Sequence, residues 1–91
     1  MMRLDELRAQ IDQIDDELLH LFEARMHLAV QVAAYKKERG LPVLDRKREM
    51  EKLELLIKQV SSELEPYAEE LYETLFALSR RYQEEQGEEE V

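Results

Sequence analysis

Residues 3–39 read RLDELRAQIDQIDDELLHLFEARMHLAVQVAAYKKER, a run without a glycine or a proline. Apolar side chains recur at Leu4, Leu7, Ile11, Ile14, Leu18, Leu21, Leu28, Val32 and Tyr35. Steps of three and four are the seam of a packed helix. The run therefore predicts one helix of about 36 residues, roughly 54 Å long at 1.5 Å per residue. A compact domain of this length has a radius of gyration near 12 Å and a diameter of roughly 30 Å. The helix overshoots that, and its apolar seam runs from end to end. The rest of the chain is too short to cover it, so the simplest cover is a second copy in a closed two-fold dimer.

Outward from this helix the chain is punctuated. Gly40 supplies a C-terminal stop and Pro42 prevents resumption. After the linker GLPVL, Asp45 is a good N-cap for a second helix from Arg46 to Val60, with Met50, Leu53, Leu56, Ile57 and Val60 apolar. Ser61 and Ser62 mark a break. A third helix is expected from about Leu64, with Pro66 tolerated in its first turn. Its expected seam is Leu64, Ala68, Leu71, Leu75, Leu78 and Tyr82. The fold class is all-α: three helices per chain, one very long and N-terminal, in an intertwined helical homodimer. Residues 1–83 form one domain, and residues 84–91 are expected to be a frayed, acidic tail.

The formal net charge is −9, and five of the acids lie in the last eight residues. An acidic chain without a basic face argues against nucleic acid as a partner. It leaves room for a small anion, because a few converging cations can dominate a local field. No cysteine is present, so thiolate chemistry and disulfides are excluded. No stretch approaches the roughly 18 apolar residues of a membrane span, and the start MMRLDELRAQ lacks a signal-peptide core. A cytoplasmic protein is expected. His20 and His27 have no helical i, i+4 histidine partner, so no metal site is expected.

Some residues break the pattern. The heptad count through Leu4, Ile11, Leu18 and Val32 calls for an apolar side chain at 25, where Arg25 stands. A guanidinium on an apolar seam is costly unless it snorkels, pairs with an acid of the chain or meets an anion. Lys36, eleven residues on, is about 20° away around the helix and roughly 16 Å along it. A ligand between them would lie over Ala29 and Val32. Arg8 sits about 100° round from Arg25 and far along the axis, out of reach from the same helix but not from an antiparallel partner. Asp45, Arg46, Lys47, Arg48 and Glu49 open helix two, either as a solvated turn of local ion pairs or as part of a pocket. Ser79 and Gln83, one turn apart, offer uncharged hydrogen-bonding groups on helix three.

Taken together, LRAQIDQIDDELLHLFEARMHLAVQVAAYK, LPVLDRKRE and Ser79-Arg80-Arg81-Tyr82-Gln83 resemble the all-helical class of chorismate mutases. The first matches that class's spacing of LR, ID, ID, R and K, the second its P..D..RE signature, and the third its closing Ser and Gln. The resemblance implies rearrangement of chorismate to prephenate, in aromatic amino-acid biosynthesis, with no cofactor and no metal. It implies that Arg25 and Ser79 hold the ring carboxylate, while Arg8 of the other subunit holds the side-chain carboxylate with Lys36. Lys36 and Gln83 would donate to the ether oxygen, Asp45 and Glu49 would meet the ring hydroxyl, and Arg48 would support the carboxylates. The catalytic set is Lys36, Gln83, Arg25 and Glu49.

Two other functions belong to the same resemblance. An isochorismate-pyruvate lyase shares the fold, and Glu49 is the feature that favours the mutase over it. A regulatory mutase-like module partnering another enzyme of the pathway is the non-enzymatic alternative; a spacer would have no need of Arg25 on the seam. The initial Met and the acidic end lead us to expect a free-standing chain rather than a piece of a fusion.

Overall fold

The computed structural model describes residues 3–89, with side chains through Gly87. Among these residues there are three α-helices and no strand: α1 spans Leu4–Glu38, α2 Arg46–Leu56 and α3 Glu65–Glu89. The helix predicted over 3–39 is therefore present nearly to the residue. Its end is fixed by Gly40, whose φ of 67° is the left-handed conformation open to glycine at little cost. Leu41 N donates to Lys36 O at 2.8 Å and Gly40 N to Lys37 O at 3.2 Å, the paired bonds of a Schellman stop. This turn sends the linker back beside the last turn of α1, where Lys36 Nζ donates to Val43 O at 3.1 Å.

Asp45 caps α2 as expected, its carboxylate accepting from Arg48 N at 3.1 Å. The helix was predicted to reach Val60 but ends at Leu56. The chain tightens into one 3-10 turn at Ile57–Gln59, and Val60 is extended. The tighter turn keeps Leu56 and Ile57 half-buried beside α3 while the chain reverses. A second 3-10 turn, Ser62–Leu64, leads into α3. The face of α3 turned inward keeps Ala68, Leu75, Leu78 and Tyr82 of the expected seam half-buried and departs from it elsewhere. Leu64 and Leu71 are exposed, whereas Phe76 and Ser79 are the buried residues, flanked by Tyr72, Leu75 and Gln83. Of the segment 84–91 expected to fray, residues 84–89 are helical, Gln86 and Gly87 are half-buried and line one cavity with Ala33 and Ala34 of α1, and residues 90 and 91 lie outside the described residues.

α3 packs against both α1 and α2. It covers only the C-terminal half of α1, on the stripe Phe22, Met26, Ala29, Val30 and Ala33. Every residue from 4 to 21 is exposed. So are Leu28, Val32 and Tyr35, which continue the seam on a second face. The chain is a lath, 57 × 28 × 14 Å, with a radius of gyration of 16.6 Å against the roughly 12 Å of a compact chain of this length. An apolar stripe of this length standing in water is not a stable arrangement for a lone chain. No helix among the described residues is long and apolar enough to cross a membrane.

Candidate active site

The gap bounded by α1, the linker, α2 and α3 is a cavity of about 320 Å³, within the size range of small-molecule sites. Its walls bring together Arg25 and Lys36 from α1, Asp45, Arg48 and Glu49 from the start of α2, and Ser79 and Gln83 from α3. These come from three separate stretches of sequence, and all are candidates on the sequence alone. Ala29 and Val32 form the floor between the two cations of α1. The eighth candidate, Arg8, lies elsewhere: it is exposed, 17 residues or about 26 Å down the helix from Arg25.

Arg25 is held from two sides. Its Nη1 donates to Ser79 Oγ at 2.7 Å, and its guanidinium lies 5.8 Å from the centre of the Phe76 ring. The Ser79 hydroxyl in turn points to Met26 Sδ at 3.8 Å. Both Phe76 and Ser79 are less than a tenth exposed, so this corner is the rigid one. Lys36 is half-buried and, among the described residues, tied to the Val43 carbonyl alone. Gln83 stands across the cavity; its side-chain oxygen is buried and has no hydrogen-bond partner among the described residues. A half-turn of that amide, presenting its NH₂ to the cavity, sacrifices no internal bond to the oxygen. Val43 and Gln83 also border a second, mainly apolar cavity of about 190 Å³ lined by Val30, Ala33 and Ala34.

Lining residues that escaped the sequence reading include Phe76, Lys52 and Arg80. Phe76 was passed over because Leu75 and Leu78 offered a better-spaced seam. Lys52 had a signal, being one turn after Arg48 on the same face of α2. Arg80 had none; it meets Glu49 across 31 residues of chain. With them the cavity carries Arg25, Lys36, Arg48, Lys52 and Arg80 against Asp45 and Glu49, a local surplus of three positive charges in a chain of net charge −9. Such focusing suits a small molecule with more than one negative charge. No three His, Asp or Glu residues converge as a metal site among the described residues.

Fold and cavity define a class: small helical domains in which a long first helix, a short second one and a third packed against both border a cation-rich pocket. The family model for chorismate mutase type II matches residues 7–84, and the chain belongs to that family. It is 43% identical over 47 residues to a chorismate mutase of Methanocaldococcus jannaschii, covering 52% of this chain and 48% of that one. It is 41% identical over 54 residues to the T-protein of Haemophilus influenzae, covering 59% of this chain and 14% of that protein. It is 38% identical over 58 residues to a bifunctional chorismate mutase/prephenate dehydratase of Aquifex aeolicus, covering 64% and 16%. The chain thus spans about half the length of one of these relatives and a small part of the other two. No solved structure gives a significant match.

Proposed function

We propose that this protein is a chorismate mutase, converting chorismate to prephenate on the way to the aromatic amino acids, and that it works in the cytoplasm as a homodimer with two equivalent pockets. The observation that carries this reading is the convergence of Arg25, Lys36, Asp45, Arg48, Glu49, Ser79 and Gln83 on one cavity. The reaction is pericyclic: a C–C bond forms as a C–O bond breaks, with no nucleophile and no proton transfer. What it needs is a dianion folded into a chair-like form, and cations at fixed separation impose that geometry. Arg25, braced by Ser79 and Phe76, would grip the ring carboxylate as a planar fork. Arg8 of the partner subunit and Lys36 would hold the other carboxylate, with Arg48 in support. The departing ether oxygen gains charge in the transition state, so Lys36 and Gln83, aimed at it, would contribute more there than in the ground state. Asp45, with one carboxylate oxygen kept for the helix cap, and Glu49 would meet the ring hydroxyl.

The direct test is loss of the ultraviolet absorbance of chorismate with formation of prephenate, using Arg25→Ala as the control. Release of pyruvate from isochorismate without turnover of chorismate would favour the lyase, and inactivity on both would favour a non-catalytic module.

The ether-oxygen assignment has its own test. Glutamine donates from its amide at any ordinary pH, whereas a carboxyl donates only when protonated. A free glutamic acid ionises near pH 4.3, so Gln83→Glu should lose activity relative to wild type by about tenfold or more between about pH 5 and about pH 8. A variant as active as wild type at the upper pH would remove Gln83 from the catalytic set.

Assembly is equally open to measurement. If the exposed stripe of α1 is the dimer seam, Leu18→Glu introduces a buried charge twice per interface. Loss of about 1.5–3 kcal/mol of burial per leucine weakens association by about 10²–10⁴-fold. Sedimentation should show monomer where wild type is dimer, with helical circular dichroism falling in parallel. An unchanged sedimentation coefficient would place the interface elsewhere.

A further inference from the structure

Glu49 is the acid on which the mutase reading places the ring hydroxyl of the substrate, and its carboxylate is already engaged. The side chain is only 14% exposed, and a carboxylate so withdrawn from water needs cations or several donors. Two guanidiniums from different elements take its two oxygens. Arg46, one turn earlier on α2 and 56% exposed, donates to Oε1 at 3.3 Å. Arg80 of α3, 26% exposed, donates through Nη1 to Oε2. Arg80 and Glu49 both line the cavity and Arg46 does not, which makes Oε2 the cavity-side oxygen.

We propose that Arg80 is a positioning residue: it fixes the inner oxygen of Glu49 so that the remaining lone pair meets the ring hydroxyl, and it thereby sets the preference for a hydroxylated ring. The proposal rests on the mutase reading. An ionised carboxylate offers about four acceptor sites on its two oxygens, so Oε2 can receive Arg80 and a hydroxyl together. Arg80 comes from the same face of α3 as Ser79 and Gln83, and so it registers α2 against the helix that carries two other candidate substrate contacts. Without it, Glu49 keeps, among the described residues, Arg46 alone, a solvent-exposed partner that draws the carboxylate outward. Arg80 also offsets a negative charge that would otherwise face an incoming dianion.

Steady-state kinetics on chorismate with wild type, Arg80→Met, Arg80→Lys, Glu49→Gln and the Arg80→Met/Glu49→Gln double variant test this. The hydroxyl contact is made alike in ground and transition states, so Arg80→Met should raise KM about tenfold with kcat changed by less than about threefold. Arg80→Lys, which keeps the charge, should recover part of the loss. In the Glu49→Gln background Arg80→Met should add almost nothing, because two residues acting through one contact are not additive. On a chorismate analogue lacking the ring hydroxyl, Arg80→Met should match wild type. If the full loss persists in the Glu49→Gln background or on that analogue, Arg80 acts on the substrate carboxylates or on packing, and the proposal is overturned. Should Arg80→Met unfold, as circular dichroism would show, the same cycle is run with Arg80→Lys. A wild type that does not consume chorismate overturns the mutase reading and this proposal with it. An active wild type with Arg80→Met unaffected overturns this proposal alone.

Discussion

Lys36→Ala should lower kcat for chorismate by about 10²–10³-fold while KM rises by much less, the signature of a donor whose contribution is made in the transition state. Arg25 and Lys36 are both cations on one face of α1, but their surroundings differ. Arg25 is braced by Ser79 and Phe76, as a group that grips a carboxylate in ground and transition state alike should be. Lys36 has one neutral partner, the Val43 carbonyl at 3.1 Å, and faces the cavity opposite Gln83. Its charge is thus uncommitted to any acid among the described residues, and on the proposed reading it would serve the oxygen that becomes negative as the C–O bond lengthens. Lys36→Met should behave like Lys36→Ala, because the stem alone supplies no charge. Intact helical circular dichroism in both variants would separate a chemical loss from a loosened linker. A hundredfold rise in KM at unchanged kcat would make Lys36 a carboxylate anchor and leave the ether oxygen to Gln83.

Much of the fold and most of the cavity were legible because their signals are local or periodic. An unbroken stretch from Arg3 to Arg39, followed by Gly40 and Pro42, leaves one helix as the economical outcome, and α1 ends where the glycine stands. Arg25 was visible as a violation of the apolar heptad, Lys36 by its angle to Arg25, and Asp45 as a cap. What was not legible depends on how helices dock. Two apolar stripes overlap on α3: Ala68, Leu75, Leu78 and Tyr82 of the expected seam are half-buried, but the most buried positions are Phe76 and Ser79, and Leu71 stays in solvent. The early end of α2 reflects the turn needed to bring α3 back alongside, which helix propensity does not encode. The tail looked solvated by composition, yet α3 runs on past Gln83, and Gln86 and Gly87 line a cavity with the small residues Ala33 and Ala34. Arg80 sits in a charged run beside Arg81, and nothing in that run distinguishes the arginine that meets Glu49 from the one that pairs on the surface with Glu85 at 3.9 Å.

Mixing two inactive variants, Arg8→Ala and Arg25→Ala, should return about one quarter of wild-type activity once subunits have exchanged at random in a two-fold dimer. Each variant alone should be severely impaired, since on the proposed reading each lacks one guanidinium for a substrate carboxylate. The uncovered stripe of α1 runs from Leu4 to Tyr35, so its midpoint falls near residue 20. An antiparallel pair centred there sets Arg8 of one chain opposite Gln31 and Val32 of the other, between Arg25 and Lys36 and beside the cavity. Within its own chain Arg8 is about 26 Å from Arg25 and has no such neighbour. In a mixed dimer one pocket then combines intact Arg25 with intact Arg8 from the partner, and the other pocket carries both lesions. Half of the dimers are mixed and half of their pockets are whole, which gives the quarter. If Arg8 acted within its own chain, every pocket of a mixed dimer would carry one lesion and no activity would return. Verified exchange without recovery would therefore withdraw Arg8 from the partner's pocket.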